Sequence, residues 1–404
     1  MLVIQALRWL LLGMEIVITL PVLYLSIVST SAILSARQRK KKDLPFLPPY
    51  ADFAILIPAH NEVAILGTLL ESLATLAYPK DLYAVYVIAD NCTDATADLA
   101  RASGWVQVYE RFDQEKRGKG FALNWLLQEL EHDQLIYDAY VILDADSIVD
   151  PMFLQVMNQG LAQGAQALQA HNNVLNVTDS PSTALRWLGL TLMNHVRPLG
   201  RNGLRCSSTL TGNGMCLSRS LLNRYPWQAF SLTEDYQYYL TLVQHGEKAI
   251  YMPEAIVRSV MPSTFVQMRT QDIRWEASES SQAVWETTWK LLKAGIRNRD
   301  FARIEAIAEL LTPPLSPLIG WCLLALASSL ALWSLSGLLI NLLLIGGLIY
   351  YISTAFYLLR PPQTVFMALL SAPGFMLWKL WVVLVLKRSK KYTAQWVRTS
   401  RNTL

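Results

Sequence analysis

The chain has 404 residues, 52% of them hydrophobic and 16% charged, with a formal net charge of +4. So apolar an average excludes one ordinary soluble domain and calls for membrane segments. The surplus positive charge borders the apolar runs and no nucleic-acid motif occurs, so an anionic lipid leaflet is the expected partner and nucleic acid is not.

Residues 9–34 are apolar except for Glu15, long enough to span about 30 Å of hydrocarbon. Arg37, Arg39, Lys40, Lys41 and Lys42 come directly after. A cleavable signal peptide carries its charge before a shorter apolar core, so this stretch, 1–36, reads as an anchor. The positive-inside rule then places the chain beyond this basic cluster in the cytoplasm, at an inner or plasma membrane.

From about residue 45 to 313, strand and helix signals alternate. Residues 52–58 (DFAILIP) read as a buried strand, 62–76 as a helix, 84–89 (AVYVIA) as a strand ending at Asp90, 94–103 as a short helix and 106–109 as a third strand. Asn91, Thr93 or Asp94 is available to cap the short helix. A loop of glycine and basic residues, 116–120 (KRGKG), leads into a helix over 121–131. Residues 140–143 (YVIL) form a strand that ends in Asp144 and Asp146. Repeated β-α units predict an α/β fold with a parallel, doubly wound, Rossmann-like sheet, whose carboxyl edge binds ligands.

Three groups then fall at the ends of consecutive strands. Asp90 is a candidate for a base or ribose, Lys119 for a phosphate or the base, and the Asp144/Asp146 pair for a divalent cation that keeps positions open for phosphate oxygens. Neither G-x-G-x-x-G after the first strand nor G-x-x-x-x-G-K-[ST] occurs, so a dinucleotide enzyme and a P-loop NTPase are poorly supported and a metal–nucleotide diphosphate fits better. In LTED, Glu234 and Asp235 offer a carboxylate to take a proton from an attacking hydroxyl. In QDIRW, Arg274 offers a fork for phosphate, Gln271 an amide, and Trp275 a face for stacking on a sugar. Cys92, Cys206, Cys216 and Cys322 lack C-x-x-C spacing, which argues against zinc and against a disulfide framework.

Residues 315–359 carry no charge and suffice for two spans of about 20 residues with a turn near 334–337. The run 364–386 is broken by Pro373 and Gly374 and contains Lys379, and the basic residues after it would lie outside if it crossed. An in-plane amphipathic helix over 376–386 is therefore expected, with Trp378, Lys379 and Trp381 at the headgroups.

The ordered set IPAHNE (57–62), DNCTDAT (90–96), RGKGFAL (117–123), DAD (144–146), GNG (212–214), TED (233–235) and QDIRW (271–275) resembles the membrane-embedded branch of glycosyltransferase family 2, which includes cellulose, hyaluronan and chitin synthases. The resemblance implies a GT-A domain over 45–276, interfacial helices over 277–313, a transmembrane hairpin over 314–360, and an interfacial helix with a basic tail over 361–404. It implies an inverting transfer from a nucleotide-diphosphate sugar, with UDP as the nucleotide, and Mg²⁺ or Mn²⁺ as cofactor. Pro58, His60, Glu62, Asp90, Lys119 and Asp144 would bind the donor, and Asp146 with Asp144 the metal. Asp235 would be the base, with Gln271, Arg274 and Trp275 completing the catalytic set; Gly212, Asn213, Gly214, Glu234 and Trp275 would receive the acceptor.

The acceptor is a growing glycan on this resemblance, with a homo-oligomer or partner subunits supplying any further channel helices. The chain departs from the better-known synthases in offering one N-terminal and two C-terminal spans. That suggests an alternative, transfer of one sugar to a membrane lipid such as diacylglycerol, a ceramide-like lipid or a polyprenyl phosphate. Residues 283–296, with Trp285, Trp289, Leu291 and Leu292, are candidates for the interfacial segment that delivers it. A third reading, a non-catalytic scaffold that binds nucleotide sugar, sits poorly with the full set of carboxylates.

Overall fold

The computed structural model describes residues 2–39, 47–262, 281–378 and 381. Gln271, Arg274 and Trp275, and most of the expected 376–386 helix with the tail behind it, lie outside the described residues.

The sheet has eight strands: β1 (Phe53–Ala59), β2 (Tyr83–Asp90), β3 (Gln107–Arg111), β4 (Ala139–Ile142), β5 (Ser147–Val149), β6 (Ala167–Val174), β7 (Met215–Ser218) and β8 (Ala249–Ser259). Their order is β3-β2-β1-β4-β7-β6-β8-β5. The half legible from the sequence, β3-β2-β1-β4, is parallel throughout. β1 and β2 are buried on both faces, which is why they appear as unbroken apolar runs.

The second half corrects the expectation of a wholly parallel sheet. β7 runs antiparallel to both β4 and β6, and β5 runs antiparallel to β8. These strands hide their periodicity. β6 carries Gln169, His171, Asn172 and Asn173, and β8 contains Pro253 inside an irregularity that breaks its register with β6 between Ala170 and His171. A proline in mid-run argues against a strand, but here it sits in the bulge, where no ladder bond is lost.

Two apolar layers cover the sheet. Leu66–Ala74 and Phe153–Ala162 pack with one face, Lys119–His132 and Glu234–His245 with the other. A third cluster joins the long helix Leu2–Arg39 to Pro181–Thr191, Leu315–Ala331 and Leu335–Leu359.

Gln5–Arg39 and Leu335–Leu359 are long and apolar enough to cross a membrane, and Phe301–Leu311 with Leu315–Ala331 form a pair bent by 69°. Pro313 and Pro314 stand at that bend. The turn expected near 334–337 is present, with Ser334 capping Leu335–Leu359 by accepting from Gly337 N at 3.2 Å. Glu15, the one interruption of the first apolar run, is buried between these helices. Its Oε1 accepts from Asn341 Nδ2 at 2.8 Å and from Ser329 Oγ at 3.3 Å, so the polar group ties three helices together.

The long N-terminal helix meets Arg197–Gly203 at backbone contact. A Cβ on Gly200 would lie 2.1 Å from the Val28 carbonyl oxygen, and Ser31 Oγ donates to the Gly200 carbonyl at 2.7 Å. Gly200→Ala is therefore expected to destabilise the chain by about 1–3 kcal/mol through overpacking. Denaturant unfolding in detergent measures it, and an unchanged midpoint would contradict this contact.

Candidate active site

The carboxyl edge of the parallel half gathers the motifs that fall among the described residues. At the end of β1 the chain turns through Asn61, whose φ of 57° is left-handed, and the Asn61 side chain accepts from Thr93 N at 2.7 Å. His60 Nδ1 lies 2.7 Å from the Asp90 carbonyl oxygen, and Glu62 N donates to Thr96 Oγ1 at 2.8 Å. Asp94 Oδ1 accepts from Thr96 N at 3.0 Å, but the cap position of the short helix Thr96–Ala102 is taken by Ala95, so none of Asn91, Thr93 and Asp94 occupies it. The IPAHNE and DNCTDAT segments thus form one hydrogen-bonded wall.

Asp90 closes that wall and is nearly buried. Its Oδ1 accepts from Arg111 Nη1 at 2.7 Å and from Asn91 Nδ2 at 2.9 Å. Burial raises the Asp90 carboxyl above its ordinary range, against the Arg111 guanidinium, which lowers it. Nothing in the sequence marks Arg111 as a site residue. The signal that finds it is register, since parallel pairing of β2 and β3 sets Asp90 opposite Arg111.

The centre of the site is Lys119, at the start of Lys119–His132. Its Nζ donates to Asp144 Oδ1 at 2.6 Å and to the Gly212 carbonyl at 2.7 Å, and it lies 3.9 Å from Glu234 Oε1. A Cβ on Gly212, whose φ is 78°, would fall 2.9 Å from Asp235 Oδ2 and 3.4 Å from Lys119 Nζ. Lys119, Asp144, Gly212, Glu234 and Asp235, far apart along the chain, meet within one small volume. Lys119 therefore stands with the D-x-D and TED carboxylates, and its loop meets the wall built around Asp90 where Arg111 Nη2 donates to the Lys116 carbonyl at 2.7 Å.

Two loops hold this arrangement. Asn213 is buried, and its Oδ1 accepts from Asp144 N at 3.1 Å while its Nδ2 donates to Ser259 Oγ at 3.1 Å. Its side chain thus braces the D-x-D turn from within the protein. Gly120 is approached so closely by the 227–230 loop that a Cβ would lie 2.1 Å from the Ala229 carbonyl oxygen, and Trp227 Nε1 donates to the Gly120 carbonyl at 3.2 Å. Phe121 stacks on Phe230 at 4.5 Å between ring centres. The loop that enters TED is thereby seated on the first turn behind Lys119.

The electrostatics follow from crowding acids around one ammonium. Burial lowers the Lys119 amine, but Asp144 and Glu234 outweigh it and its pKa is raised, so it stays charged. Burial, then the charge of Asp235, raises Glu234; burial also raises Asp235, opposed by Lys119. Asp144 and Asp146 are partly exposed and offer only hard oxygen donors, a set that suits Mg²⁺ or Mn²⁺ with phosphate oxygens completing the shell. The described residues contain no cluster of three or more metal-ligating side chains. Pro58 lies at the end of β1 beside the same edge. Of the proposed interfacial segment, Ser281–Asn298 is a helix with Trp285 and Trp289 exposed at 58% and 65%, whereas Leu291 is buried in the core beneath the sheet.

The chain is similar to several known proteins. A β-monoglucosyldiacylglycerol synthase of a Nostoc species is 27% identical over 266 residues, covering 63% of this chain and 52% of the relative. A glucomannan 4-β-mannosyltransferase of Oryza sativa is 22% identical over 321 residues, covering 77% and 55%. The chain thus spans about half the length of these relatives. Among solved structures, a mannosyltransferase of Pyrobaculum calidifontis, in complex with GDP-Man and Mn²⁺, matches with a TM-score of 0.52 at 18% identity, covering 93% of this chain and 99% of that one, a likeness of fold. The family described as "Glycosyltransferase like family 2" matches residues 48–278. With its GT-A-like α/β sheet flanked by long apolar helices and its described motifs gathered on one sheet edge, the chain belongs to glycosyltransferase family 2.

Proposed function

We propose that this chain transfers a sugar from a nucleoside-diphosphate sugar, UDP in the first instance, to an acceptor hydroxyl with inversion at C1. The observation that carries the reading is the meeting of Lys119 with Asp144, Gly212, Glu234 and Asp235 at the sheet edge. Pro58, His60, Glu62 and Asp90 form the wall for the nucleotide, and Asp144 with Asp146 would hold Mg²⁺ or Mn²⁺. Such an ion stabilises the negative charge of the departing diphosphate.

The chain's own groups account for the remaining steps. Asp235 accepts the acceptor's proton as its oxygen bonds to C1, and the diphosphate leaves with the electron pair of the broken C1–O bond. Lys119 keeps Asp144, Glu234 and Asp235 from repelling one another and lowers the proton affinity of Asp235 against burial. Gly212 leaves the space in front of Asp235 open, because any side chain there would enter it. Arg274 would face the phosphates, with Gln271 and Trp275 beside the acceptor, as their motif implies.

The favoured acceptor is a membrane lipid. Trp285 and Trp289 are exposed on a helix that packs beside the TED helix, suited to the headgroup level, and the Nostoc relative is named for glucosyl transfer to diacylglycerol. A glycan acceptor is the second reading, supported by the glucomannan mannosyltransferase. Arg37 and Arg39 at the end of the first span support a cytoplasmic catalytic domain.

Asp235→Asn, folded and still binding nucleotide, is expected to lose about 100- to 10,000-fold in kcat; near-normal turnover would sink the base assignment. Chelation is expected to stop transfer and Mn²⁺ to restore it, but not in Asp146→Ala; metal-independent transfer would contradict this. For the pH profile, a raised Asp235 pKa means that the base is lost to protonation at a higher pH than for an ordinary aspartate. Lys119→Gln removes the cation that opposes the rise, so the acid limb of kcat moves further up in pH; a limb that stays put or moves down contradicts the assignment.

A further inference from the structure

One buried network, separate from the reacting groups, fastens the helix that begins with Glu234 and Asp235 to the membrane helices. Tyr239 lies four residues after Asp235, one turn further along Glu234–His245. Its hydroxyl accepts from Arg201 Nη2 at 2.7 Å. Arg201 is wholly buried and donates through Nε and Nη2 to the Glu305 carboxylate at 2.6 and 3.0 Å. Glu305 stands on Phe301–Leu311, the helix that bends by 69° into Leu315–Ala331.

The same helix reaches further in both directions. Its Glu309 pairs with Arg197 at 3.2 Å, Arg197 Nε donates to the Tyr351 hydroxyl of Leu335–Leu359 at 2.9 Å, and the Tyr24 hydroxyl of Leu2–Arg39 lies 2.6 Å from Glu305 Oε1 and 3.0 Å from Glu309 Oε2. Its Arg303 Nε donates to the Val243 carbonyl at 3.2 Å, in the last turn of the Asp235 helix, where a cation also suits the helix dipole. A Cβ on Gly246 would lie 2.8 Å from Arg303 Nη2. The middle and the end of the Asp235 helix are therefore both held by Phe301–Leu311.

A buried pair of this kind adds little stability over an apolar replacement, yet it admits few alternative registers, because a slip would strand a charge away from water. We propose that Arg201 and Tyr239 are positioning residues for Asp235, and that the Phe301–Leu311 elbow passes the position of the membrane helices to the start of the Asp235 helix. The functional consequence rests on Asp235 being the base; the fastening of the helix does not. Small displacements matter, since a misplacement of about 1 Å costs on the order of 100-fold in rate.

The test uses the full chain in lipid nanodiscs. Tyr239→Phe deletes one hydroxyl, keeps the ring and leaves the Arg201–Glu305 pair intact. Amide hydrogen exchange over residues 234–238 is expected to quicken about tenfold with β1 and β4 unchanged, while kcat falls about tenfold, the donor KM stays within about twofold, and the acid limb of the pH profile moves. Arg201→Lys keeps the charge but loses the fork, and is expected to produce the same pattern. Unchanged exchange in both variants overturns the fastening whatever the chain transfers. Faster exchange with unaltered kcat and pH profile overturns the positioning role. Faster exchange in a chain that transfers no sugar before substitution supports the fastening and counts against Asp235 as the base.

Discussion

Acids crowded at one sheet edge repel one another, and among the described residues the fold resolves this with one ammonium. Lys119 is bonded to Asp144 and to the Gly212 carbonyl and faces Glu234 and Asp235, so three motif segments are held together by one charge. Much of the surrounding structure serves that meeting. Gly120 lets the loop before TED close onto the Lys119 helix, Gly212 admits Asp235, and Asn213 braces the turn that carries Asp144. The result is a charged, partly open sheet edge on which the carboxylates of two motifs stand around one ammonium.

The second organising constraint is attachment to the membrane. Glu15, Asn341 and Ser329 bind the apolar helices to one another, while Arg197, Arg201, Glu305 and Glu309 bind them to the sheet domain through Tyr239. Both clusters are polar groups in apolar surroundings that pair with other protein groups. Backbone contact at Gly200 brings the first long helix close enough for the second cluster to form. The sheet edge and the long apolar helices are thereby connected through packed, hydrogen-bonded parts.

How much of this is legible in the sequence depends on how loudly each residue speaks alone. β1, β2 and β4 are readable because burial on both faces leaves an apolar run and each run ends near a carboxylate. β6 and β8 are not, since Gln169 is a polar residue hydrogen-bonded to the 211–213 loop, His171 packs its ring against His195, and Pro253 mimics a break. Asp90 is visible but Arg111 is not, because a lone arginine becomes informative only when strand register sets it beside an acid. Lys119 reads as a phosphate or base contact; its pairing with Asp144 needs the third dimension. Leu291 belongs to an amphipathic pattern with Trp285 and Trp289, yet that pattern does not say which face meets protein and which meets lipid. Arg197, Arg201, Glu305 and Glu309 look, one by one, like ordinary surface positions.

If sugar leaves a nucleotide at this edge for a lipid hydroxyl, the product carries the proof. The most direct measurement supplies the full chain, in native lipid extract with Mn²⁺, with a panel of radiolabelled nucleotide sugars and follows the label. One sugar is expected to move into a discrete organic-soluble lipid, with release of the nucleoside diphosphate. Label confined to high-mass polymer would contradict the lipid acceptor, and nucleotide binding without transfer to lipid or glycan, across the whole panel, would contradict the enzyme.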